Sequence, residues 1–231
     1  MRKYCAVIVE PREHKALSFV LNNFLKNLSD EWFIVIMHGN NNNNYIDSII
    51  SNYLYEYKNR IAKINLLVDN LKIQEYNQLM VSEYFYNIIP TETFLIFQTD
   101  TMICEKNKDL INNFLEYDYV GAPWKALMNN GQLYSVGNGG LSLRTKEACL
   151  DCIKNNKWNG ENEDMFFSKN IKNIPSFENA KSFSVETCYS NITFGLHKPW
   201  YHLPKYELQS LMTQFNELDK LMELNCYFEY K

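Results

Sequence analysis

The sequence predicts an α/β fold: a mixed, mainly parallel central sheet flanked by helices, with a C-terminal amphipathic helix. Three observations carry this. Short, wholly apolar runs alternate with segments of helical spacing from Tyr4 to Gln98. Such runs fit strands buried on both faces, and their alternation with helices implies parallel pairing. After Asp100 the pattern gives way to a glycine-rich stretch and then to helical segments.

The elements follow in order. Residues 4–9 (YCAVIV) read as the first strand, ended by Pro11. Residues 14–28 place Leu17, Val20, Leu21, Phe24, Leu25 and Leu28 on one helical face. Residues 32–37 (WFIVIM) read as a second strand, and the five asparagines at 40–44 as a polar low-complexity loop. A helix over 46–57, a strand over 64–68, a helix over 73–86 and a strand over 94–98 complete the regular part. Beyond it, Gly121, Gly131, Gly137, Gly139 and Gly140 mark loops around short strands near 118–121 and 140–143. Helices are expected over 146–156 and 163–171. Residues 208–224 close the chain as a helix with Leu208, Leu211, Met212, Phe215, Leu218, Leu221 and Met222 on one face.

A chain of 231 residues with 46% hydrophobic content suits one α/β domain over 1–231, without linker or internal repeat. The net charge of −4 argues against a nucleic-acid binder, which needs a basic face. Aromatic residues reach 15%, which suits sugar binding. A coding bias toward Asn, Lys, Ile, Tyr and Phe explains the same figure. The six cysteines are scattered, and the lone CxxC (Cys149, Cys152) lacks a second pair, which fits reduced thiols in a cytoplasmic protein. The apolar N-terminal run is too short for a signal peptide, and no run approaches the roughly 18 residues of a membrane span. Oligomeric state is left open.

In parallel sheets ligands gather at the carboxyl ends of the strands. That places Glu10, Arg12, His38 and Asp100 on one rim. Asp100 can hold a divalent cation through hard oxygen ligands, yet an acid after a strand is as readily a helix cap. His197 can add an imidazole ligand, with Lys198 beside it to neutralise phosphate, or serve as a structural histidine. The segment VGNGGLSLR (136–144) has glycines that allow close backbone approach or a tight turn. It is neither a dinucleotide fingerprint nor a P-loop. Glu163 and Asp164 stand at a helix start, where acids are favoured by the dipole and where one can also act as a base. Trp158 and Trp200 suit either sugar stacking or the core.

Taken together, FLIFQTD (94–100), YDYVGAPW (117–124), VGNGGLSLR, ENEDMFF (161–167) and FGLHKPW (194–200) resemble, in that order, a group of glycosyltransferase-like proteins. The group has the GT-A, Rossmann-like fold and occurs in large DNA viruses of protists and in bacteria. A chlorovirus rhamnosyltransferase domain is similar. The resemblance covers residues 4–202 and implies roles by position. Gln98-Thr99-Asp100 takes the place of the acidic Asp-x-Asp motif, with Gln98 where the first acid stands. Gln98 and Thr99 then belong to the donor site, and Asp100 and His197 to Mn²⁺ or Mg²⁺. Val9, Glu10 and Arg12 line the nucleotide, with Lys198 on its phosphates. Asn138, Gly139 and Gly140 face the sugars, as does Trp200. Asp164 is the catalytic carboxylate of inverting members, with Glu163 as its partner.

The resemblance therefore implies metal-assisted transfer from a nucleotide-sugar donor, UDP-linked, to a glycan hydroxyl in the cytoplasm, a host's if the source is viral. Inversion and retention both stay open, as do the donor sugar, acceptor and linkage. The replaced acid keeps a rival in view: an inactive sugar- or nucleotide-binding module. A metal-dependent phosphoesterase built on Asp100, Glu163 and Asp164 is a third possibility, although such sites usually gather more His and Asp.

Overall fold

The computed structural model describes residues 2–125, 127–129, 132–134 and 136–226. Gly131 lies outside them. The first half runs β1 (Tyr4–Val9), α1 (Leu17–Asn27), β2 (Trp32–His38), α2 (Asn43–Tyr53), β3 (Ile61–Asn65), α3 (Ile73–Met80), α4 (Glu83–Ile88) and β4 (Thr93–Phe97). The second half runs β5 (Thr101–Ile103), β6 (Tyr119–Gly121), β7 (Leu127–Asn129), β8 (Gln132–Tyr134), β9 (Leu141–Thr145), α5 (Lys146–Asn155), α6 (Glu163–Asn170), α7 (Phe177–Phe183), β10 (Ser184–Val185), β11 (Gly195–His197), α8 (Lys205–Met212) and α9 (Leu218–Cys226).

The main sheet has the order β3-β2-β1-β4-β9-β6. Its first four strands are parallel, and β9 lies antiparallel between β4 and β6. The pleat splits the core in two. Ala6 and Ile8 face one cluster with Leu21, Phe24 and Phe97, while Cys5 and Val7 face the other with Tyr86, Phe94 and Phe167. Both faces are covered at β1, β2 and β4, so these central strands are almost wholly apolar, whereas the edge strand β3 (IAKIN) carries exposed polar residues.

Several expected elements are shifted or split. The strand expected over 64–68 is β3, and it ends at Asn65. The Asn65 side chain accepts from Leu67 N at 2.8 Å, and Leu67 adopts a left-handed φ of 58° that turns the chain outward. The helix expected over 73–86 divides into α3 and α4. Ser82 hydroxyl donates to Leu79 O at 2.6 Å and accepts from Phe85 N at 3.3 Å, ending one helix and capping the next. The helix expected over 208–224 is α8 and α9, separated where Thr213 hydroxyl bonds Ser210 O and Glu217 turns left-handed. The asparagine run is only partly loop, since Asn43 already opens α2.

Two features of this topology position the site. β1 and β4 are neighbours, so the loops that leave their carboxyl ends, 10–12 and 98–100, emerge side by side. A second sheet of order β10-β11-β5 pairs His197 with Thr101, and Lys198 N donates to Asp100 O at 3.0 Å. This brings the late histidine beside the strand-end acid.

Candidate functional site

A cavity of about 450 Å³ opens at the carboxyl ends of β1 and β4. Its wall gathers Val9, Glu10, Arg12, Gln98, Thr99, Asp100, Asn138, Gly139, Gly140, Glu163, Asp164, His197 and Lys198. Trp200 is not brought to this wall; it packs against the core cluster on the α1 face. Trp158 packs on the opposite cluster, its indole N–H held by Glu161 O at 2.8 Å. His38 stays on the β2 rim, buried, with Nδ1 2.7 Å from Gly39 O.

Asp100 Oδ1 and His197 Nε2 lie 3.2 Å apart, yet neither atom has an aligned hydrogen-bond partner. Burial opposes charge on His197, but Asp100 and Glu186 outweigh it and raise its pKa to about 9. Burial likewise works against the Asp100 carboxylate, and His197 with Lys198 overcomes this to hold its pKa below the ordinary value. The two atoms face each other as an ion pair while His197 is protonated, and at this spacing they suit a divalent ion once that proton is displaced. Neighbouring ligands about 2.1 Å from an octahedral Mg²⁺ lie about 3 Å apart. Among the described residues no three His, Cys, Asp or Glu side chains gather to hold an ion. Asp100 and His197 could supply two ligands at most, and phosphate and water would have to complete such a shell. Lys198 has φ of 35°, a left-handed conformation rare for a non-glycine and of the kind stored at functional sites.

The glycine turn joins this group to the acids. Its glycines do not take positive φ; among the described glycines only Gly160 does. Their requirement is steric. A Cβ on Gly140 would meet the His197 ring at 2.3–2.6 Å, and one on Gly139 would meet Glu163 Oε1 at 2.1 Å. The site's own side chains, His197 and Glu163, approach these glycines closely, and both glycines also line the cavity. Asn138 pins the turn, its Oδ1 accepting from Gly140 N at 2.9 Å and its Nδ2 donating to Glu186 at 2.8 Å.

Glu163 and Asp164 take different parts. Arg144, fully buried, donates to Glu163 Oε2 at 2.8 Å and to Oε1 at 3.0 Å. Its guanidinium also lies 5.0 Å from the Tyr119 ring centre and 5.3 Å from that of Phe167. Asp164 instead accepts backbone N–H bonds from Gly139 at 3.2 Å and Met165 at 2.8 Å. Burial, with Glu163 next in effect, pushes its pKa up to about 6. That value leaves a carboxylate that is ionised at neutral pH and basic enough to take a proton.

The third part is the loop after β1. Arg12 grips Glu10 through Nε at 2.8 Å and Nη2 at 2.8 Å. Asn42 holds the loop from outside, donating to Glu10 O and Arg12 O at 2.9 Å each and accepting from Gly39 N at 3.0 Å. Gln98 Nε2 reaches the Tyr76 hydroxyl at 3.3 Å, so Tyr76 joins the same wall. Sequence reasoning missed Asn42, Tyr76, Arg144 and Glu186. Only Arg144 fell inside a quoted motif, as the last letter of VGNGGLSLR, and there it carried no role.

A family model described as "Protein of unknown function (DUF5672)" matches residues 60–197, more than half of the chain. This chain belongs to the DUF5672 family. The matched span includes Asp100, Asn138–Gly140, Asp164, Glu186 and His197 and leaves out the loop after β1. No curated protein matches the sequence.

Solved structures are similar in fold. The glycosyltransferase GlyE of Streptococcus pneumoniae superposes with a TM-score of 0.56 at 12% identity, over 99% of this chain and 64% of GlyE. S. aureus TarS 1-349, solved with UDP-GlcNAc, gives 0.54 at 10% identity, over 96% and 70%. The galactosyltransferase LgtC, solved with donor and acceptor sugar analogues, gives 0.50 at 11% identity, over 74% and 72%. The DUF5672 chain thus has a GT-A-type fold and spans about two thirds of the length of these proteins. Among the described residues no helix is long and apolar enough to cross a membrane.

Proposed function

We propose that this DUF5672 protein transfers a sugar from a nucleotide-sugar donor, UDP-linked, to a glycan hydroxyl with inversion and with the help of Mn²⁺ or Mg²⁺. One observation carries the proposal: a single cavity joins Asp100 Oδ1 and His197 Nε2, 3.2 Å apart, to a carboxylate, Asp164, of raised pKa. The resemblance to a chlorovirus rhamnosyltransferase domain supports a hexose or deoxyhexose as the transferred group. The UDP-GlcNAc bound to TarS supports a UDP donor.

Asp100 and His197 would hold the ion, which as a Lewis acid stabilises charge on the leaving diphosphate. Lys198 adds a cation for the same phosphates. The 10–12 loop and Gln98 bind the nucleoside, and the Asn138–Gly140 turn lies against the sugar. Asp164 takes the proton of the acceptor hydroxyl, the acceptor oxygen bonds to the anomeric carbon, and the bond from that carbon to the diphosphate breaks.

The test is turnover of purified protein on a panel of UDP- and GDP-sugars with Mn²⁺ or Mg²⁺, with and without simple glycan acceptors. Release of nucleoside diphosphate is the expected result. Absence of both release and nucleotide binding would rule the function out. Gln98, an amide where the motif has an acid, favours a second reading as a binding module. Calorimetric binding of a nucleotide sugar without any release would select it.

A further inference from the structure

We propose that Glu186 is a positioning residue that fixes the His197 ring with Nε2 toward Asp100 and ties that ring to the Asn138–Gly140 turn. The role in catalysis rests on the glycosyltransfer reading; the positioning itself does not.

Glu186 follows β10, the strand that pairs with β11 and its terminal His197. Its side chain is 5% exposed, so a carboxylate has been withdrawn from water. One oxygen, Oε1, receives both His197 Nδ1 at 3.1 Å and Asn138 Nδ2 at 2.8 Å. The other, Oε2, is buried without a partner. Burying a carboxylate is costly, and such groups are kept where they serve the site.

The geometry explains what is served. An imidazole whose Nδ1–H is held by a carboxylate presents Nε2 in one orientation, and such partners tune metal-binding histidines. Here Nε2 is the atom 3.2 Å from Asp100. The Asn138 bond extends the same restraint to the turn whose Gly139 N–H holds Asp164. One carboxylate therefore sets the relative placement of the ion-binding pair and the proton-accepting acid. Gly140 completes the fit, since its missing Cβ leaves room for the ring.

The experiment has two arms. In ligand-free protein labelled with ¹⁵N-histidine, and assigned with a His197→Asn control, the His197 Nδ1–H should exchange slowly with water. In Glu186→Ala that proton should be lost to exchange, and in Glu186→Gln, which keeps an acceptor oxygen, exchange should be intermediate. In the second arm, calorimetry with UDP and Mn²⁺ should show Glu186→Ala binding roughly 10–100-fold more weakly, with partial rescue by Glu186→Gln. UDP binding without metal should be unchanged. If Glu186→Ala does not fold, Glu186→Gln against wild type carries both arms. Slow exchange unaltered in the folded variants would overturn the proposal. If wild type binds no Mn²⁺–UDP, the glycosyltransfer reading fails, while the exchange arm still decides the role of Glu186.

Discussion

Arg144 and Glu163 form a buried two-point ion pair, with N–O distances of 2.8 and 3.0 Å and essentially no access to solvent. It divides two acids that look alike in sequence. Glu163 is saturated by the guanidinium, while Asp164 next to it lines the same cavity with only backbone N–H donors on its carboxylate. Breaking such a pair strands a buried charge. Arg144→Met should therefore destabilise the fold by about 3–5 kcal/mol in urea unfolding. The double variant Arg144→Met/Glu163→Leu, with no charge left, should recover much of that loss.

The pH dependence should follow Asp164. Its folded pKa of about 6 exceeds the ordinary value of 3.8. A base must be ionised, so kcat/KM should fall as pH drops through about 6. The stability effect has the opposite sense. Between the two pKa values the folded state holds the proton and the unfolded state does not, so this group favours folding as pH falls from 6 toward 4. A shift of this size corresponds to roughly 3 kcal/mol of strain on the fold at neutral pH. Asp164→Asn should unfold at higher urea than wild type at pH 7.5, and the difference should vanish near pH 4.

Gly140→Ala tests the packing of the turn. The added Cβ falls 2.3 Å from His197 Nε2, so the ring must move. The expected loss of stability is about 1–3 kcal/mol, typical of overpacking. Mn²⁺-dependent UDP binding should weaken by roughly 10-fold or more, as for other disturbed ligand shells. Calorimetry and thermal melting on one preparation read both.

Asn42→Ala tests the loop after β1. It removes the acceptor for Gly39 N and the donor for Glu10 O and Arg12 O at a fully buried position. We expect roughly 2–3 kcal/mol less stability. In turnover, KM for the donor should rise while kcat holds, because the role proposed for the loop is to bind the nucleotide, away from the reacting bond.

These residues also mark what was legible in the sequence. β1 and β4 declare themselves as apolar runs, and the rule that ligands sit at strand ends then places Glu10, Arg12 and Asp100 together. His197 and Asp164 needed the motif order, since nothing local distinguishes a site histidine or a helix-start acid from a structural one. Arg144 lies near the end of β9 with nothing beside it in sequence to mark a role; its partner Glu163 comes from a helix brought over by packing. Glu186 stands in a polar stretch without a motif, and its role exists only once β10 pairs with β11. Asn42 was hidden in a run of asparagines whose composition reads as loop. The splits at Ser82 and Glu217 were local, a side-chain cap and a left-handed residue that override helical spacing.

The most direct measurement is UDP release from a UDP-sugar by wild type and Asp164→Asn at pH 7.5, in the presence of acceptor and Mn²⁺, beside UDP affinity for both. Asp164→Asn should bind UDP as wild type does and turn over about 10²–10⁴-fold more slowly, the usual loss of a general base. Equal turnover in the two proteins would contradict this role for Asp164.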